Sequence, residues 1–131
     1  MERDKQLELL FEYTKFHIGL YLTLAAAYIT IGTAGVGKLP KLNHYFVWLG
    51  VVSIAIAGFA GGVIASSITQ TTKSNVSEFL EDPTGPWCLK SLKGLTWTYI
   101  EHTMFWVGVI CVILSFAFPE TIISSTAAGV K

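Results

Sequence analysis

Three stretches of this sequence are apolar for long enough to cross a bilayer, and that feature removes most folds from consideration. They cover about 16–36, 45–68 and 95–118. Each holds about 20 residues or more, enough for the roughly 30 Å of hydrocarbon in a membrane. Backbone in lipid must be helical or closed into a barrel. The period-2 alternation of a barrel strand is missing here. The expected fold class is therefore an all-α membrane protein with three transmembrane helices. An N-terminal helical extension precedes the first, and a short interfacial or cytoplasmic helical loop over 69–94 joins the second and third. Residues 1–131 are read as a single integral membrane domain.

Composition agrees. Hydrophobic residues make up 52% and charged residues 14%, whereas soluble domains are about a quarter charged. Formal net charge is zero, so nothing marks the chain as a partner of nucleic acid. Cys111 sits inside an apolar run and Cys88 in a polar connection. A helix between them would separate them by roughly 30 Å, so both are read as free thiols. The first fifteen residues mix Glu2, Asp4, Glu8 and Glu12 with Arg3, Lys5 and Lys15. A secretory leader starts basic, so the first span is read as retained.

Lysine and arginine set an expected orientation. Arg3, Lys5, Lys15, Lys73, Lys90 and Lys93 fall on the side of the N-terminus and the 69–94 loop, and Lys38, Lys41 and Lys131 on the other. The bias places the N-terminus in the cytoplasm and the C-terminus across the membrane. Tyr45, Phe46 and Trp48 open the second span and Trp87, Trp97 and Tyr99 flank the third, as interfacial aromatics do. Within the loop, Asn75 and Glu78 have capping-box spacing for a short helix ending near Glu81. Asp82-Pro83-Thr84-Gly85-Pro86 reads as a stop and turn. Leu89, Leu92 and Leu95 interleave with Lys90 and Lys93, a pattern that predicts a second short helix lying in the interface.

Each span carries a small or polar face. On the first helix Lys5, Glu8, Glu12, Lys15, Gly19, Thr23, Ala26, Thr30, Thr33 and Gly37 fall on one side. As a pathway lining, Thr23, Ala26, Thr30 and Thr33 would face water, with Glu8, Glu12 and Lys15 around the inner mouth. As a packing face, the same small and hydroxylic residues are what membrane helices present to one another. The second span holds two small-residue ladders. Ser53, Ala57, Gly61 and Ala65 form one and Gly58, Gly62 and Ser66 the other, in the spacing that lets helices approach closely. On the third, Glu101, Gly108, Cys111 and Ser115 share a quarter of the circumference.

Ionisable groups inside a span are costly, on the order of 3 kcal/mol at the bilayer centre, so they mark candidate sites. Glu101 and His102 lie about 9 Å past Leu95 along the third helix. His17 belongs to the same end, on the side of the first helix that carries Leu10, Tyr21, Leu24 and Tyr28. His17, Glu101 and His102 are therefore expected as a polar cluster at the inner interface. The competing expectation leaves Glu101 and His102 among headgroups, if lipid begins only at Thr103.

A haem held by His17 and His102 is not expected, since both sit at span edges with no basic cluster for propionates. The three histidines lack metal-ligand spacing, and the sequence contains no GxSxG, P-loop or HExxH motif. Neither cofactor nor catalysis is expected. Two functions remain. One is a homo-oligomeric channel or pore-forming effector with the first helix lining the pathway. The other is a non-catalytic accessory or anchoring subunit of a larger membrane complex. The partners expected are the bilayer and either copies of the chain or another membrane subunit.

Overall fold

The computed structural model describes residues 3–34, 42–73, 75–85, 90 and 92–119. Lys38, Lys41, Trp87, Cys88, Leu89 and Lys131 fall outside these residues. So does Gly37 at the end of the polar stripe. Helices dominate: α1 (Arg3–Ala34), α2 (His44–Ile68), α3 (Val76–Glu81) and α4 (Gly94–Ala117). Two-residue strands β1 (Pro83–Thr84) and β2 (Leu92–Lys93) pair antiparallel, Pro83 opposite Lys93 and Thr84 opposite Leu92.

Among the described residues two helices, α2 and α4, are long and apolar enough to cross a membrane. α1 is mixed. Its first half carries Lys5, Glu8, Glu12 and Lys15, and its apolar second half is diluted by threonines and glycines.

The helix ends follow from local chemistry. Asn43 caps α2: its side chain accepts from the backbone N–H of Tyr45 and Phe46 at 3.1 and 3.4 Å. Its own N–H reaches the Ser115 carbonyl at 3.3 Å, tying the entry of α2 to the last turn of α4. At the far end of α2, the Thr69 hydroxyl donates to the Ser66 carbonyl at 2.7 Å. Asn75 caps α3 as expected, its side chain accepting from the Ser77 N–H at 3.0 Å. Pro83 stops α3 by forcing the residue before it, Asp82, into an extended conformation (ψ 145°). Gly85 supplies the positive φ of 131° that the turn requires.

The interfacial helix predicted through Leu89, Leu92 and Leu95 does not form over its described part. Leu92 and Lys93 belong to β2, and α4 begins at Gly94. The reason lies in the packing of Gly94. Its N–H donates to the Asp82 carbonyl at 3.1 Å. A Cβ there would stand 3.1 Å from both the Leu80 Cα and the Phe79 carbonyl oxygen. Backbone against backbone at this point holds the chain extended until it has passed α3.

α2 is the central helix, with α1 and α4 packed on it. Ser53, Ala57 and Gly61 are buried, so this ladder makes close contacts inside the chain. Gly58 faces Tyr21 of α1, whereas a Cβ on Gly62 would meet nothing within 4 Å. α2 and α4 come closest at Gly50 and Gly108. A Cβ on Gly50 would lie 3.3 Å from the Gly108 carbonyl oxygen, and one on Gly108 only 2.6 Å from Ile54 Cγ1. Two apolar clusters result. One joins Leu7, Ala60, Val63, Ile64, Phe79 and Trp97 at the α3 end. The other gathers Leu24, Tyr28, Met104 and Phe105 around Tyr21, Ile54 and Ala57. The Trp97 indole N–H donates to the Thr84 carbonyl at 3.0 Å, fastening the β1–β2 loop to α4.

Candidate functional site

Between these two apolar clusters lies a polar seam. Glu101 is seven residues into α4, about 10 Å along the axis from Gly94, and is only 2% exposed. Its Oε1 accepts from the Tyr21 hydroxyl of α1 at 2.9 Å. The same oxygen lies 3.5 Å from His17 Nδ1, one helical turn away on α1. Tyr21 is 3% exposed, so the bond between phenol and carboxyl is dry.

Glu101 fits there because α2 presents a glycine. A Cβ on Gly61 would stand 3.6 Å from Glu101 Cδ and Oε1 and 3.3 Å from Ile18 Cγ1. A small residue in the α2 ladder thus opens the space in which a carboxyl crosses from α4 to α1.

Aromatic rings frame the histidine. Tyr13 meets His17 edge-on at 4.0 Å, Tyr21 stacks along it at 5.8 Å, and His102 stands perpendicular at 6.2 Å. His102 Nδ1 lies 2.9 Å from the Thr98 carbonyl of its own helix, so that nitrogen is engaged locally. His17 Nδ1 is buried without a hydrogen bond among the described residues, so its contact with Glu101 is electrostatic when the ring is protonated.

The structure therefore brings His17, Glu101 and His102 together and keeps Glu101 off the surface. Tyr21 is the member that sequence reasoning missed. A tyrosine on an apolar helix face reads as core, and its position four residues after His17 was the available signal.

The remaining candidates lie elsewhere. Glu8, Glu12, Lys15, Gly19, Thr23, Ala26 and Thr30 are all exposed along α1, on the side turned away from α2 and α4. Thr33 falls in the last turn of α1, with its side chain outside the described part. Glu12 and Lys15 approach to 3.7 Å within the helix. The Thr23 and Thr30 hydroxyls donate to the carbonyls of Gly19 and Ala26, at 2.9 and 2.8 Å. A shallow groove runs along this face, lined by Glu12, Lys15, Phe16, Gly19, Leu20 and Thr23. Ala65, at the end of the first α2 ladder, is partly covered, and on the second ladder Gly58 and Gly62 are partly covered and Ser66 is exposed.

Fold and site define a helical protein with, among the described residues, two helices both long and apolar enough for a bilayer and a buried Tyr–Glu–His seam joining its first and last long helices. No protein family matches this chain, and comparison with curated proteins and with solved structures gave no match.

Proposed function

We propose that this is a three-span integral membrane protein that assembles with copies of itself, with α1 lining a pathway between subunits. Outward-facing Leu22, Phe59, Trp106, Ile110 and Ile113 support membrane insertion, since soluble monomers rarely leave so much contiguous apolar surface uncovered. The second half of α1 then crosses beside α2 and α4, and its charged first half stands next to the α3 loop. With the N-terminus in the cytoplasm, Lys5, Lys15, Lys73, Lys90 and Lys93 all lie on the inner side.

The observation that carries the assembly reading is the exposure of the whole α1 stripe, from Glu8 through Thr30. No lipid-facing helix needs a continuous polar and small-residue side. Copies arranged with α1 innermost would place Glu8, Glu12 and Lys15 at the inner mouth and Thr23, Ala26 and Thr30 along the wall. One chain of this size encloses no such pathway, so the function requires the oligomer. Flux through proteoliposomes tests it. Thr30→Leu and Thr33→Leu should each reduce flux severalfold, and unchanged flux in both argues against α1 as the lining.

A second reading has its own support. Because Thr23 and Thr30 satisfy their hydroxyls on their own helix, the stripe does not require water. It could equally seat a helix of a different membrane protein, which would make the chain an anchoring subunit. A chain that is monomeric alone and gains stability only with a partner would support that reading.

A further inference from the structure

The inner end of α2, Phe79 of α3, and Asp82, Pro83, Thr84, Gly85 and Lys90 of the described connection line a hollow that the assembly reading does not use. We propose that it holds one membrane phospholipid whose headgroup carries both a phosphate and an N–H-bearing ammonium, as phosphoethanolamine does. This rests on the membrane reading above and not on the pathway.

The hollow has two connected parts. A polar part of about 250 Å³ is lined by Ser67, Gln70, Thr72, Asp82, Thr84 and Lys90. A second part, of about 400 Å³, shares Ser67, Gln70 and Lys90 with the first and extends to Phe59, Gly62 and Val63. Phe59 and Ser67 are eight residues apart in α2, so the second part runs about 12 Å along the helix. Phe59 is exposed, and the space beside Gly62 is open. The polar end therefore sits where α2 leaves the hydrocarbon, and the apolar end opens on the outer face of α2. That shape suits an amphiphile and would be left half-used by a soluble ion.

The charges choose the headgroup. Lys90 and Asp82 give the polar end one cation and one anion. The Asp82 carboxylate pairs with Lys73 at 3.6 Å, with both side chains more than a third exposed, a contact weak enough to yield to a ligand. The C-terminal end of α2 adds partial negative charge on the same side, which favours an ammonium. Lys90 and the hydroxyl donors match the phosphate. Thr84 lines the same end and is nine-tenths buried, with no hydrogen-bond partner for its hydroxyl among the described residues. A headgroup without an ammonium would leave Asp82 with no cation from the ligand, and a quaternary ammonium would offer Asp82 no N–H.

Native mass spectrometry of the full chain, with phosphatidylethanolamine, phosphatidylglycerol and phosphatidylcholine of matched acyl chains, tests the site. One ethanolamine lipid per chain should be retained, and the other two should bind roughly fivefold or more weakly. Lys90→Gln should weaken retention roughly tenfold, and Gly62→Leu should do the same by filling the apolar end. Water-soluble phosphoethanolamine should displace the lipid only at far higher concentration. Equal retention of the three lipids, retention unchanged in both variants, or ready displacement by phosphoethanolamine would each overturn the proposal. Carbonate washing of membranes separates the two levels. A chain that washes off refutes membrane insertion itself, while one that stays but is indifferent to the lipid refutes only the site.

Discussion

Tyr21 and His17 share one oxygen of Glu101, so the seam is sensitive to single atoms. Tyr21→Phe removes one hydroxyl and leaves the carboxyl buried without that donor. It should cost about 1–3 kcal/mol, read as a lower melting temperature in detergent. Glu101→Ala should cost more, because it strands the Tyr21 hydroxyl and leaves a void beside Gly61. In a His17→Ala/Glu101→Ala cycle the two changes should be non-additive by about 0.5–3 kcal/mol, since they remove the two ends of one contact. Strict additivity would mean that the 3.5 Å approach contributes nothing. His17 and Glu101 were legible in the sequence because ionisable groups stand out in an apolar run. Tyr21 was not, because a phenol on a core-facing stripe gives no sign of where its hydroxyl points.

Among the elements, α2 and α4 depend on one close crossing. Gly108→Ala drives a methyl to 2.6 Å from Ile54 Cγ1, close to the Gly50 backbone, and should destabilise by about 1–3 kcal/mol. Ile54→Ala in the same chain should recover part of that loss by vacating the contact, as measured by thermal unfolding. Gly19→Ala is the contrasting case. A Cβ there meets nothing within 4 Å, so the isolated chain should be no less stable, and any effect would report a neighbour on the α1 stripe. The bounds of α2 and α4 were legible to within a residue or so, since each helix coincides with a long apolar run. The 92–93 segment was misread because Leu89, Leu92 and Leu95 recur every third residue, a helical spacing. Gly94 pressing on the α3 backbone overrides it, a tertiary contact that no local pattern encodes.

On the scale of the whole molecule, two faces differ in kind. The α2 side that carries Ser53, Ala57 and Gly61 is covered within the chain, while the α1 side from Glu8 to Thr30 is bare. Sequence alone showed three small or polar faces and could not say which were used internally, because small-residue spacing reports close contact and not the identity of the neighbour. The fold turns Ser53, Ala57 and Gly61 of α2 and the Glu101–Ser115 face of α4 to internal packing, while the α1 stripe stays uncovered within the chain. The most direct test is the native mass of the purified chain in mild detergent. A closed homo-oligomer, with a mass that is a small whole multiple of 14.3 kDa, is the predicted result. A stable monomer across the working concentration range would contradict it.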